Sequence, residues 1–221
     1  MDFYSFVEGP LLWIAFLVFI IGSLLRAALF FHVSRKMDKV FYQHFNWKYA
    51  LSTIARWLLP LNRDVAKNPV FTISGYLFHV CLIIVPIWYS GHITLWEESR
   101  LEWSWTPIPD GLADIMTLLL FAIAIFFLLR RIFSADIRLL STFSDYFLLV
   151  VTALPFMTGF FLAHGPLESI GFLGDNMDVI HMLSGELMLI LIPFTKLSHF
   201  VLFFFSRAST GVEFGRRGYS V

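Results

Sequence analysis

The sequence contains very little cysteine and very little charge. Cys81 is the one cysteine among 221 residues, which excludes an internal disulfide and a four-cysteine iron–sulfur cluster. The C-x-x-C-H motif of covalent haem attachment is also missing. Charged residues make up 14% of the chain and hydrophobic residues 58%, whereas soluble domains carry about 25% charged residues. This composition indicates a protein that crosses a membrane several times.

The N-terminal stretch MDFYSFVEGP lacks a basic region and a clear cleavage site, so we expect it to be retained. The expected fold is all-α, an integral membrane bundle of five transmembrane helices in a single domain, residues 1–221. Residues 38–68 mix apolar and basic positions, which predicts an amphipathic helix on the cytoplasmic headgroups, a docking surface for a partner, or both. The five spans cover residues 10–33, 70–96, 112–129, 146–163 and 177–206.

Lysine and arginine are concentrated on one side of these five spans. Cytoplasmic loops are rich in these residues, so the bias predicts an outer N-terminus and a cytoplasmic C-terminus in a prokaryotic inner membrane. Arg100 is the one basic residue on the other side. The basic residues are Arg35, Lys36, Lys39, Lys48, Arg56, Arg63 and Lys67, then Arg130, Arg131 and Arg138, then Arg207, Arg216 and Arg217. The outer acidic residues are Asp2, Glu8, Glu97, Glu98, Glu102, Asp110, Glu168 and Asp175.

Two histidines, His181 and His199, lie in the fifth span, 18 residues apart. In a regular helix 18 residues make about five turns, so both imidazoles would share one stripe, about 27 Å apart along the axis. One histidine near each membrane face is the arrangement that offers an axial ligand to each of two stacked haems. Because no covalent attachment motif is present, the haems would be of the b type.

The second span supplies candidates for the other two ligands, His79 and His92. Topology pairs His79 with His199 on the inner side and His92 with His181 on the outer side. The 13-residue spacing of His79 and His92 corresponds to about 220° in a regular helix, so the two do not share a face. Pro86 lies between them and predicts a kink that turns one ring.

Two further histidines are alternative ligands, His164 on the outer side and His32 on the inner side. Polar groups at membrane depth are costly and usually functional. Glu186 is either a neutral group bonded between helices or part of a proton path for a quinone, and His164 is a candidate for lining the quinone pocket. Arg26 and Lys196 either neutralise haem propionates or extend to the headgroups.

Several motifs resemble those of one family. The chain looks like the gamma subunit of respiratory nitrate reductase and its relatives, which are five-helix dihaem cytochromes b. The helix-two histidines are three residues further apart than in that subunit, and the first cytoplasmic loop is longer. Both departures resemble the branch that serves sulfite-reduction-associated, Hmc-type and heterodisulfide-reductase-type membrane complexes. The motifs are G-S-L-L-R at 22–26, Y-L-F-H at 76–79, G-H at 91–92, R-R-I-F-S at 130–134 with Arg138, Thr142 and Asp145, and P-F-T-K-L-S-H at 193–199.

The resemblance implies quinone-linked electron transfer between menaquinone and a redox partner of a respiratory complex. Two haems b are the implied cofactors, with a cytoplasmic iron–sulfur subunit as partner and, in some complexes, a periplasmic cytochrome c. Membrane lipid is expected around the chain, and no nucleic acid. Two alternatives stay open. One is a haem-free transporter or assembly subunit with structural or metal-binding histidines, and the other is the same fold with a single haem.

Overall fold

The computed structural model describes residues 2–61, 64–165 and 170–219, and Arg63 and Glu168 of the charge pattern lie outside these ranges. Every element in the described ranges is helical. The all-α membrane fold is therefore confirmed. The helices are α1 Phe3–Phe6, a π-helical turn Val7–Leu11, α2 Leu12–Met37, α3 Lys39–Gln43, α4 Trp47–Leu58, α5 Asp64–Lys67, α6 Pro69–Trp88, α7 Ser90–Glu98, α8 Asp110–Phe133, α9 Ala135–Leu140, α10 Phe143–His164, α11 Gly171–Asp175, α12 Met177–Leu191, a 3-10 turn Lys196–Ser198, and α13 His199–Gly215.

Four of the helical stretches are long and apolar enough to cross a membrane. They are Phe3–Met37, Pro69–Trp88, Asp110–Phe133 and Phe143–His164, and a fifth crossing results if α12 and α13 count as one broken span. The protein is thus a multi-pass membrane protein. The first span begins earlier than predicted, because the Asp2 carboxylate accepts from the Ser5 amide at 2.8 Å and caps the helix.

The fifth span is not one helix, so the prediction of a continuous helix over 177–206 is wrong. Its two parts, α12 and the stretch Lys196–Gly215, meet at 71°. Pro193 has no amide hydrogen to donate within this break. Thr195 then starts the next turn, because its hydroxyl accepts from the Leu197 amide at 3.3 Å. The count of five whole turns between His181 and His199 assumed a single helix axis and therefore does not hold.

The chain forms two compact units, and the first comprises 1–73 and 186–221. In this unit α4 packs along the end of α13, where α13 carries Gly211 and Gly215. A Cβ atom on Gly211 would come within 2.6 Å of the Tyr49 carbonyl oxygen and of Thr53 Oγ1. Arg207, one turn earlier, lies 3.9 Å from the centre of the Trp57 ring. The segment predicted to be an amphipathic helix contains α4, which buries Ala50 and Thr53 and packs on α13. Its position on the headgroups stays a prediction.

The same unit packs α2 against the break in the fifth span. A Cβ on Gly22 would lie 2.8 Å from both Cβ and Cγ of Pro193. Two aromatic pairs join α2 to α13 farther along, Phe19 with Phe200 at 6.0 Å and Phe30 with Phe205 at 5.6 Å between ring centroids. The glycine therefore lets a helix backbone approach the proline closely.

The second unit comprises Ser74–Gly185. Its core lies between α6, α8 and α10, and the free thiol of Cys81 is buried there, which agrees with its apolar sequence context. Buried threonines on α8 and α10 donate to carbonyls one turn back, as Thr117 does to Ala113 at 2.8 Å. The core residues are Phe78, Cys81, Val85, Leu120, Ile123, Ala124 and Phe156.

Candidate functional site

A break in the second span positions the outer histidine of that span. The helix stops after Trp88, Tyr89 is extended (φ −71°, ψ 135°), and α7 starts at Ser90. A helix end leaves carbonyl groups without intrahelical partners. Here the Ile87 carbonyl accepts from Trp105 Nε1 at 2.9 Å and the Trp88 carbonyl accepts from the Ile108 amide at 3.0 Å. The loop 99–109, predicted to lie on the outer side, therefore holds the break open.

A third carbonyl at this break also has a partner. The carbonyl oxygen of Pro86 lies 2.9 Å from Nδ1 of His92. The helix thus breaks three residues beyond Pro86, at Tyr89. This break places the His92 ring opposite that of His181, with centroids 5.9 Å apart and planes at 1°. The structure brings His92 and His181, the predicted outer pair, together. In a regular helix, the 13-residue spacing would have placed His92 on a different face from His79.

The nitrogen atoms of this pair are arranged as in metal-binding histidines. Nδ1 of His181 lies 3.1 Å from Thr158 Oγ1, and Nδ1 of His92 lies 2.9 Å from the Pro86 carbonyl oxygen. In the described part of the chain, neither Nε2 has a hydrogen-bond partner. A proton held on Nδ1 leaves the lone pair of Nε2 for a metal. An ion bound to two such nitrogens at about 2.0–2.1 Å would separate the ring centres by about 6 Å.

The number of ligands fits a haem iron better than a tetrahedral metal site. No group of three or more histidine, cysteine, aspartate or glutamate residues forms a metal cage within the described ranges. Structural zinc sites need four protein ligands. Two opposed imidazoles instead match the two axial positions of a haem iron, whose other four ligands come from the macrocycle.

The ring of His181 lies against small and polar residues of α10 that the sequence analysis did not single out. A Cβ on Gly159 would come within 2.9 Å of His181 Cε1. Thr158 also lies 3.1 Å from Ser184 Oγ, and Ser184 donates to the His181 carbonyl at 2.7 Å. The sequence signal was the occurrence of small residues in both helices, Thr158-Gly159 and Ser184-Gly185, as is common where membrane helices pack closely.

In the predicted inner ligands His79 and His199, as in the outer pair, Nδ1 contacts an oxygen atom. Nδ1 of His79 lies 2.7 Å from the Gly75 carbonyl, and Nδ1 of His199 lies 2.9 Å from the Lys196 carbonyl. Both side chains are exposed. His79 belongs to the second unit and His199 to the first, and their pairing stays a prediction.

His164 is engaged through both nitrogens. Nδ1 lies 3.0 Å from the Phe160 carbonyl, and Nε2 lies 3.3 Å from the carboxylate of Asp114 on α8. Asp114 therefore links two helices. This engagement makes His164 a poorer substitute ligand than His92, and its place on the outer side stays a prediction.

The remaining candidate residues differ in exposure. Glu186 on α12 is 2% exposed, and neither carboxylate oxygen has a hydrogen-bond partner in the described part of the chain. A carboxyl group in this state is costly unless it is protonated. Arg26 on α2 and Lys196 before α13 are both exposed. His32, the alternative inner ligand, is exposed as well, near the end of α2.

The bond from Trp105 to the broken helix supports a stability prediction. Trp105→Phe removes the indole N–H and leaves the Ile87 carbonyl without this donor, which costs about 0.5–1.5 kcal/mol because the bond is exposed. We expect the melting temperature of the purified protein to fall. Trp103→Phe is the matched control, because Trp103 is 59% exposed and has ring stacking but no hydrogen bond in the described structure. Equal melting temperatures for the two variants would contradict this role of Trp105.

Comparison with known proteins identifies one relative of nearly equal length. The chain is 37% identical to a protein of Nitratidesulfovibrio vulgaris (strain Hildenborough), over 97% of this chain and 95% of the relative. The name of that relative, "Protein", states no activity. No family model and no solved structure matches the chain.

Proposed function

The chain belongs to one family with the Nitratidesulfovibrio vulgaris protein, and we propose that it is the haem-carrying electron-transfer subunit of a membrane complex. The observation that carries this proposal is the opposed pair of His92 and His181, with both Nδ1 atoms engaged and both Nε2 atoms without a partner in the described residues. The pair joins α7 to α12 beside a break in the second span, and the outer loop holds that break open.

The residues that would hold two haems b are the four histidines in two pairs. His92 and His181 would supply the axial nitrogens of one, and His79 and His199 those of the other. Haem iron supplies one-electron chemistry when it is bound. The chain would contribute the nitrogen ligands, and the contacts at Nδ1 would fix their tautomers. Arg26 and Lys196 are exposed and offer positive charge for propionates on the inner side.

We propose a menaquinone site on the outer side, next to His92 and His181. His164 and Glu186 are the candidate groups for binding the quinone or moving its protons. Glu186 suits proton exchange, because a buried carboxyl without a partner is stabilised by taking up a proton. The resemblance to dihaem cytochromes b, and not a contact with a ligand, supports this part of the proposal.

The charge pattern supports a cytoplasmic partner. With the N-terminus outside, the basic loops and the tail face the cytoplasm of a prokaryotic cell. We propose that an iron–sulfur subunit docks there and that a periplasmic cytochrome c subunit belongs to the same complex in some organisms. Exposed cations such as Lys39 and Arg217 would attract an acidic partner surface.

A haem-free transporter is the second candidate function, and a specific observation favours it. Helices that break within the membrane are typical of transporters, and the fifth span breaks with a 71° bend. In that case the histidine pair would bind protons or a metal ion. The sequence lacks the internal repeats that many transporters have, and this favours the cytochrome.

A reduced-minus-oxidised absorbance spectrum of the purified chain, with haem measured per chain, tests the proposal. We expect b-type bands and two haems per chain. A single haem would favour the one-haem alternative, and the variants argued in the Discussion would then identify its ligands. A folded preparation without haem would reject the electron-transfer function and favour the transporter.

A further inference from the structure

We propose that Thr158 is a positioning residue that fixes the tautomer and orientation of His181 as a metal ligand. This inference rests on the proposed function. Thr158 is buried, with 4% of its surface exposed, and its Oγ1 lies 3.1 Å from Nδ1 of His181. No motif in the sequence marks this residue, and its role follows from the contact between α10 and α12.

The hydrogen bonds around Thr158 determine which atom carries the proton. Its Oγ1 lies 3.0 Å from the Leu154 carbonyl and 3.1 Å from the Pro155 carbonyl. Carbonyl oxygens only accept, so either of them can take the Thr158 hydroxyl hydrogen. With that hydrogen on a carbonyl, the hydroxyl oxygen is an acceptor toward His181. The imidazole then carries its proton on Nδ1 and keeps the lone pair of Nε2 for the metal.

This arrangement differs from that of the other three candidate ligands. His79, His92 and His199 each place Nδ1 against a backbone carbonyl, whereas His181 places Nδ1 against a side-chain hydroxyl and also bonds the Pro155 carbonyl. A substitution cannot remove a backbone carbonyl, but it can remove a hydroxyl. Bonds that continue from the imidazole through the hydroxyl to a carbonyl also strengthen one another. Thr158 thus gives the outer pair a partner that sequence changes can adjust.

Gly159 provides the space for this contact. A Cβ on residue 159 would lie 2.9 Å from Cε1 and 3.3 Å from Nδ1 of His181. Any larger residue would push the ring away from Thr158. The two adjacent residues therefore act together, Thr158 by bonding the ring and Gly159 by leaving room for it.

The test compares Thr158→Val with Thr152→Val in the purified haem-loaded chain. Thr152 is the matched control, because it lies on the same helix, is 5% exposed and donates to the Leu148 carbonyl at 2.7 Å without contacting a histidine. Loss of an outer partner of a metal-binding histidine typically costs 10–100-fold in metal affinity. We expect haem to dissociate about 10–100-fold more readily from Thr158→Val.

A redox titration supplies the second measurement. An acceptor on Nδ1–H makes the imidazole more basic and stabilises ferric iron. Removing that acceptor in Thr158→Val is expected to raise the midpoint potential of one of the two haem transitions. Thr158→Ser keeps the hydroxyl and is expected to behave as the wild-type chain.

Gly159→Ala tests the same contact if Thr158→Val does not fold. It is expected to change the same transition, whereas Gly185→Ala, where an added Cβ meets nothing within 4 Å, is expected to have no effect. If Thr158→Val and Thr152→Val match in haem dissociation and potential, the positioning role is overturned while the proposed function stands. If the wild-type chain binds no haem, both fail together.

Discussion

Replacing either His92 or His181 with alanine is expected to reduce the haem content from two per chain to about one. Both residues belong to one opposed pair, so the double variant should lose no more haem than either single variant. The reason is that an iron with one axial imidazole is held far less firmly than an iron with two. Haem per chain is measured from the absorbance of the purified protein, and the surviving bands identify the second haem.

His164→Ala is the matched control for the outer pair. His164 lies on the same predicted side, but its two nitrogens contact the Phe160 carbonyl and the Asp114 carboxylate. We expect it to retain two haems. Combining His92→Ala with His79→Ala should remove both haems, because we propose these residues as ligands of different haems. Two full haems in His92→Ala, or loss of one in His164→Ala, would show that the outer ligands are assigned wrongly.

The spacing of the histidines shows where helical periodicity predicts the position of a side chain and where it does not. The all-α membrane class follows from composition, because spanning helices need long apolar runs whatever their partners. The alignment of His181 with His199 failed because a count of turns assumes one continuous axis. Pro193 and the capping hydroxyl of Thr195 were visible in the sequence, but the 71° bend depends on how the surrounding helices pack.

The second span shows the opposite case. The spacing of His79 and His92 argued against a shared face, and Pro86 predicted a kink that would correct it. The break occurs at Tyr89, as an extended residue between α6 and α7. The freed carbonyls accept hydrogen bonds from Trp105 and Ile108, which lie in the loop after α7 and follow no pattern that marks them as partners of this break. Such partners arise from tertiary structure and not from local propensity.

The surroundings of His181 were not predicted for a related reason. Thr158, Gly159 and Ser184 are ordinary residues for a packed membrane helix, where threonine commonly bonds a carbonyl one turn back. Thr117 and Thr152 do the same without any role at the histidines. Only the contact between α10 and α12 distinguishes Thr158 from them.

Gly211→Leu is expected to separate α4 from α13 and to destabilise the first unit. Gly211 follows Arg207 by four residues and precedes Gly215 by four, so the three share one face of α13. That face receives α4 through Trp57, Thr53 and Tyr49. A Cβ at position 211 would meet the Tyr49 backbone carbonyl at 2.6 Å. A backbone atom cannot rotate away, so one helix has to move.

Overpacking of this kind costs about 1–3 kcal/mol, and more where the backbone shifts. For a chain of this length each kcal/mol lowers the melting temperature by about 2–4 °C.

Gly111→Leu is the control, because an added Cβ there meets nothing within 4 Å. We expect Gly211→Leu to melt lower than this control and to be cleaved faster by protease within residues 38–61. Since the outer histidine pair lies in the other unit, its haem should be retained at temperatures below the transition. Equal melting and cleavage of the two variants would mean that α4 does not depend on the glycine face of α13.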